Sequence, residues 1–339
     1  MDKFIEFVKS HSDIVYNALQ GRINGSDINS SMAREFINRR GFYLRPGMVF
    51  LTAMLFGATE EKALLPAIAI QLSNEWMLIH DDIEDKAAMR RGGPALHMMF
   101  GEELALNAGD FLQAESWHAL CEFMAESDKH TARAMYNKFY DIMRTTVFAQ
   151  GLDLQFSHSA VALDSMNEEV YYEIAAGKGS YYSVYGPMQM GAIVAKQGTR
   201  VLDAIQKIAK PAGVAAQIQN DILDMTESMK SGRRYQDLYE GKITPMLINT
   251  FACSDVGERD MMKRVYAKQQ EAKTEEDISM LLHLNEKYKS LDYAAKKRDY
   301  YGLQAEKMLD KYDKLLPNNE FKEIFKAAII AQYKNYQHT

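Results

Sequence analysis

Leu78-Ile79-His80-Asp81-Asp82-Ile83-Glu84-Asp85-Lys86-Ala87-Ala88-Met89-Arg90-Arg91-Gly92-Gly93-Pro94 decides how the chain is read. An apolar run with the character of a buried helix ends in four acids within five residues, and two adjacent arginines follow before a Gly-Gly-Pro break. On a helix, positions 81 and 85 lie one turn apart on the same face, so Asp81 and Asp85 aim their carboxylates at one spot with Asp82 alongside. Like charges at the end of a buried helix repel unless a cation joins them. Hard oxygen ligands of this kind suit Mg²⁺, which takes a few carboxylates and completes its shell with water and phosphate oxygens. A solvated acidic helix end is the competing reading of this motif taken alone.

A second cluster weighs against that alternative. Gln217-Ile218-Gln219-Asn220-Asp221-Ile222-Leu223-Asp224 places Asp221 and Asp224 at i and i+3 on an otherwise apolar helix. Acidic steps on two separate apolar helices read as facing walls of one metal-lined cavity. At this point the chain resembles the trans-isoprenyl diphosphate synthases, the family of farnesyl and geranylgeranyl diphosphate synthases, from about residue 38 to about residue 245.

Composition agrees with a large helical protein. The 339 residues are 47% hydrophobic, with 21 methionines and only seven prolines, most of them where helical patterns stop. Long stretches carry apolar residues at helical spacing and no Pro/Gly/Ser-rich linker divides the chain, so an all-α fold in one large domain over 1–339 is expected. The resemblance implies an orthogonal helical bundle around a central cavity, the isoprenoid synthase fold. A net charge of -6 argues against nucleic acid as partner. Two cysteines, Cys121 and Cys253, make no disulfide framework. The absence of a signal-like N-terminal block and of a bilayer-length apolar run predicts a cytoplasmic protein without stable membrane insertion. From about residue 255 onward, amphipathic stretches such as Glu258 to Lys273 and Tyr300 to Lys314 read as structural helices with solvated faces.

The resemblance assigns roles residue by residue. In Asn38-Arg39-Arg40-Gly41-Phe42-Tyr43-Leu44-Arg45-Pro46, Arg45 matches the family's final Arg, a contact of isopentenyl diphosphate, while Phe42 stands where the family has a Lys. Arg39 or Arg40 is the expected substitute. Asn74 matches another isopentenyl diphosphate contact. Trp76 and Met77, five and four positions before Asp81, match the floor of the tunnel that takes the growing chain, with core packing as the alternative. Arg90 and Arg91 match the arginines for the allylic and isopentenyl diphosphates. Gln150 matches an allylic contact, and Asp153 lies three residues on, on the same face. Lys178 matches an allylic diphosphate ligand, with Gly179 in place of the family's Thr and Ser180 as the nearest hydroxyl. Gln217 matches an amide facing the carbocation. Arg233 and Lys242 match further diphosphate contacts, the latter within Glu240-Gly241-Lys242-Ile243-Thr244.

The implied catalytic set is therefore Asp81, Asp82, Asp85, Arg90, Lys178, Gln217 and Lys242, and the implied Mg²⁺ ligands are Asp81, Asp85, Asp153, Asp221 and Asp224. The implied activity is short-chain prenyl transfer: isopentenyl diphosphate condensed with dimethylallyl, geranyl or farnesyl diphosphate to a C15 or C20 diphosphate, by a homodimer. Two alternatives stay open. Phe42, Gly179 and Asn220 also fit a catalytically weak homologue that regulates an active synthase, and the first acidic motif alone also fits a class I terpene cyclase.

Overall fold

The helix that carries the first acidic motif starts from a cap. Thr59 is extended and its side chain accepts from Lys62 N, Glu60 and Glu61 fill the first turn, and the helix runs from Glu60 to Glu84. The computed structural model describes residues 2–157, 162–226 and 234–334. Its helices are α1 Asp2–Arg22, α2 Ile28–Asn38, α3 Leu44–Leu55, α4 Glu60–Glu84, α5 Leu96–Phe100, α6 Glu102–Glu126, α7 Lys129–Ser157, α8 Ala162–Ser165, α9 Glu168–Ile174, α10 Gly186–Val194, α11 Thr199–Thr226, α12 Gln236–Glu240, α13 Pro245–Cys253, α14 Val256–Tyr266, α15 Glu275–Lys287, α16 Ser290–Tyr312 and α17 Glu320–Ala331. A π-helical stretch, Ala175–Tyr185, joins α9 to α10. Strand among the described residues is confined to a hairpin, β1 Met89–Arg90 with β2 Gly93–Pro94.

The all-α expectation is met. Helix α4 is buried almost all round, because the stretch from Ala63 to Ile79 presents apolar or small residues on every face. It packs against α6 and α3, and α11 packs against α16 and the π-helical stretch. Phe4, Phe36, Phe50, Phe139 and Phe325 anchor one apolar cluster, drawn from α1 to α7, the π-helical stretch, α10, α11, α16 and α17. A second, around Tyr171, Ile218, Met246 and Leu281, joins α9, α11, α13 and α15.

Two expectations need correction. Pro66 and Pro211 lie inside α4 and α11 rather than at helix ends. Pro66 falls in the second turn, near the N-terminus, where a missing N–H is tolerated more readily than deeper in a helix. The amphipathic stretch from Glu258 to Lys273 is not one helix: α14 stops at Tyr266, and Thr274 opens α15 through a reciprocal capping box with Asp277. Lys273, between them, is 5% exposed and donates to the carbonyls of Leu238 and Tyr239 at 3.0 and 2.7 Å. The C-terminal third thus holds α12 in place.

Candidate active site

Six elements bring charged side chains to one cavity of about 450 Å³, lined by Asp81, Asp85 and Arg90 from α4 and the hairpin, Asp153 from α7, Lys178 from the π-helical stretch, and Asp221, Asp224, Asp237, Glu240 and Lys242 from α11 and α12 with its following turn. The acids form two walls and the lysines lie between them. Lys178 Nζ is 3.3 Å from Asp81 Oδ1 and 3.1 Å from Asp153 Oδ2, and Lys242 Nζ is 3.2 Å from Asp85 Oδ2 and also pairs with Glu240.

Local backbone explains these placements. A π-helix adds a residue per turn and so redirects side chains, and Lys178 sits within such a stretch. Gly177 and Gly179 flank it because a Cβ at 177 would stand 2.7 Å from Ala149 Cβ, and one at 179 would stand 2.9 Å from Gln217 Oε1. The hydroxyl of the family's Thr is absent because Gln217 occupies that side. Ser180 does not replace it: its Oγ donates to Lys210 O at 2.8 Å, against α11. Arg90 and Arg91 are aimed by the hairpin, whose turn residues Arg91 and Gly92 both have positive φ, 50° and 75°, as a primed two-residue turn demands.

Charge and burial oppose one another across the cavity. Burial would raise Asp81, but Lys178, Lys242 and Arg90 outweigh it and hold its carboxyl down at about 2. Burial pushes Asp82 up to about 6 against the pull of Arg90. Asp221 is pushed up to about 7 by burial, although Tyr171 Oη and Gln217 Nε2 donate to it at 2.7 and 2.9 Å. Asp85, Asp237 and Glu240 are raised by burial, with Lys242 opposing in each case. Burial would lower Lys242, yet Asp85, Glu240 and Asp237 raise it well above the ordinary lysine value.

Most of the expected residues meet, and several take other places. Asp82 lies behind the wall, 1% exposed, where it pairs with Arg90. Gln150 donates to Glu84 Oε2 at 2.7 Å and to Asp81 Oδ1 at 3.3 Å. Trp76, Met77 and Gln150 line an adjoining, mainly apolar cavity of about 310 Å³, which shares Asp81 and Lys178 with the first. Arg45, Asn74 and Arg91 line a third, of about 350 Å³, which shares Gln217 and Asn220 with the charged one. Arg39 and Arg40 do not reach it as the expected substitutes for a Lys at Phe42. Arg39 is held by Glu35 and by the carbonyls of Arg90 and Pro94, and Arg40 pairs with Asp13 over the Tyr16 ring. Arg233 lies outside the described residues.

The sequence reading gave Asp237 and Glu240 no role in the site, although acids three apart just before Gly241-Lys242 repeat the pattern of the two motifs. Glu75, fully buried, escaped it as well. Its signal was one charge in the apolar run of α4.

The donor set fits Mg²⁺. Every acid on the two walls offers hard carboxylate oxygens, and Asp82 Oδ2 and Gln150 Oε1 are buried beside them without a hydrogen-bond partner. Among the described residues no three such groups converge closely enough to enclose an ion by themselves, so water and ligand oxygens would complete its shell.

Residues 26–284 match the Polyprenyl synthetase family. The chain is similar to the geranylgeranyl diphosphate synthase of Methanosarcina mazei, 29% identical over 284 residues, which is 82% of each chain. It also resembles the crystal structures of the geranylgeranyl pyrophosphate synthetase of Pyrococcus horikoshii, with a TM-score of 0.84, 22% identity and 99% of each chain covered, and of a polyprenyl synthase from Caulobacter crescentus complexed with calcium and isoprenyl diphosphate, with a TM-score of 0.84, 23% identity and 98% and 97% covered. With more than half its length in that match, and two acidic walls lining a cavity that Lys178 and Lys242 also reach, the chain belongs to the polyprenyl synthetase family.

Proposed function

We propose that the protein is a short-chain trans-prenyltransferase that joins isopentenyl diphosphate to an allylic diphosphate head to tail. One observation carries the reading: the charged cavity adjoins an apolar cavity, with which it shares Asp81 and Lys178, and another lined by Arg45 and Arg91, with which it shares Gln217 and Asn220, so that two phosphorylated substrates and a hydrocarbon tail each have a place. The allylic diphosphate lies between the acidic walls with its tail against Met77 and Trp76, and isopentenyl diphosphate lies beside Arg45, Asn74 and Arg91. Relatives named geranylgeranyl and farnesyl diphosphate synthases support this assignment.

Asp81 and Asp85 on one wall and Asp221 and Asp224 on the other, with Asp153 nearby, would hold Mg²⁺, which when bound would supply Lewis-acid neutralisation of charge on a diphosphate leaving group. Lys178 and Lys242 turn from carboxylates to phosphate oxygens as charge develops there, and Arg90 is held ready by Asp82. The allylic C–O bond breaks, the double bond of isopentenyl diphosphate supplies the electron pair for the new C–C bond, and the departing diphosphate takes the proton that is lost. Gln217 lines both the charged and the third cavity, where its amide dipole faces the carbocation. Apolar walls keep water from that cation.

The same proposal takes the whole chain, 1–339, as one domain acting as a homodimer in the cytoplasm. Exposed apolar side chains on α5 to α7, among them Met98, Leu106, Tyr140 and Phe148, support a partner surface, and no helix among the described residues is long and apolar enough to cross a membrane. The test is incubation of purified protein with Mg²⁺, labelled isopentenyl diphosphate and, separately, dimethylallyl, geranyl and farnesyl diphosphates. Discrete prenyl diphosphates that vanish in Asp81→Ala are the expected result. Cyclic hydrocarbon, or no condensation with any primer, would favour the cyclase or the regulatory reading.

A further inference from the structure

The third cavity is rich in hydrogen-bond donors and poor in charge. The cations that line it are Arg45 and Arg91, and its remaining polar lining is largely neutral amide: Gln71, Asn74, Gln217, Asn220 and Gln332. One of the two cations is already matched. Glu75, on α4 with its carboxylate fully buried, takes Arg91 Nη1 at 2.7 Å and Nη2 at 3.3 Å, and Gln71 one turn earlier also donates to it. Arg91 is fixed in this fork from outside as well. Its guanidinium lies 5.1 Å from the Phe36 ring centroid, and a Cβ on Gly41 would stand 3.0 Å from its Nη2. A ligand therefore cannot pull Arg91 away without leaving a buried, unpaired carboxylate, which is strongly unfavourable.

We propose that Glu75 is a specificity-determining residue of this cavity, a built-in counter-charge that lowers its preference for highly charged phosphate esters and makes recognition depend on hydrogen bonds. With Arg45 and Arg91 positive and Glu75 negative, the three sum to one positive charge. Recognition falls to donors that remain: the unused N–H groups of Arg91, the amides, and two buried atoms without a partner, Arg45 Nε and Tyr43 Oη. Such a site holds a phosphomonoester nearly as well as a diphosphate. The inference rests on the reading of this cavity as the isopentenyl diphosphate site.

Calorimetric titration of the full chain in EDTA, where the metal-dependent walls are silent, tests it with isopentenyl diphosphate and isopentenyl monophosphate as probes. Wild type is expected to bind the two within about tenfold of each other. Glu75→Gln, which keeps an amide for Gln71 and Arg91, is expected to tighten both in proportion to ligand charge: about 30-fold for a trianion corresponds to about tenfold for a dianion. Unchanged or weakened binding by a variant with an intact near-UV spectrum, or equal gains for both probes, would overturn the proposal. So would a wild-type preference for the diphosphate far above tenfold, which needs no variant at all. If wild type binds neither ester, the assignment of the cavity fails with it, whereas absence of condensation in the Mg²⁺ assay despite normal binding counts against the proposed activity alone.

Discussion

Trp76→Ala tests whether the apolar cavity measures the product. Trp76 is 8% exposed, its indole Nε1 donates to His80 Nδ1 at 3.2 Å, and its ring meets the His80 imidazole edge-on at 5.9 Å. Truncating a buried Trp to Ala ordinarily costs about 3–5 kcal/mol; because this one already borders open space, about 3 kcal/mol is expected. In a chain of this length that corresponds to a fall in Tm of roughly 5 °C. The freed volume is what matters for function. An apolar cavity of about 150 Å³ accepts a six-carbon ring, and removing an indole opens roughly that much, enough for one further five-carbon unit. Added to a cavity of about 310 Å³, it should lengthen the main product by one isoprene step. The assay is chromatography of dephosphorylated products beside a thermal melt of the same preparation. A lower Tm with an unchanged product distribution would refute the reasoning, since Trp76 would then be packing that never meets the chain end.

Other expectations follow from individual contacts. Lys178→Met removes the ammonium that touches both Asp81 and Asp153, so kcat with an allylic diphosphate should fall about 10²–10³-fold while KM for isopentenyl diphosphate changes little in steady-state assays. Lys273 should give stability a pH dependence, because burial lowers its pKa from 10.5 to about 8. Below pH 8 it is charged in folded and unfolded chains alike; between pH 8 and 10.5 the unfolded chain holds the extra proton, so stability rises with pH across that window. Denaturant melts should show wild type gaining on Lys273→Met from pH 8 to 10.

Both acidic walls were legible because each is a local pattern, carboxylates at helical spacing on an apolar helix. That Trp76 and Met77 border a cavity was legible in a similar way, since they lie five and four residues before Asp81 on the same helix. What failed was anything that depends on which way a side chain turns. Arg39 and Arg40 read as phosphate ligands, yet Arg39 is spent on hairpin carbonyls and Arg40 on Asp13. Ser180 read as a spare hydroxyl, yet one helical step carries it to the far side, against Lys210. Lys273 read as one more charge on a solvated face, and only tertiary packing reveals that it caps the carbonyls of α12. The π-helical register that sets Lys178 leaves no simple mark in composition, although Gly177 and Gly179 around it record how tightly that stretch meets α7 and α11.

The lysines between the acidic walls have a consequence for the order of events. With Lys178 on Asp81 and Asp153, and Lys242 on Asp85 and Glu240, part of the acidic lining of the resting cavity is already engaged in ion pairs. On the proposed function, loading it would be an exchange: a metal ion would take carboxylates that ammonium groups release, and those groups would need phosphate oxygens to receive them. Metal alone would strand the lysines, and diphosphate alone would meet the acids. Each would then strengthen the binding of the other, and thermodynamic reciprocity would make the two enhancements equal. The cavity would in effect act as a coincidence detector, favouring the metal–diphosphate pair over either half alone.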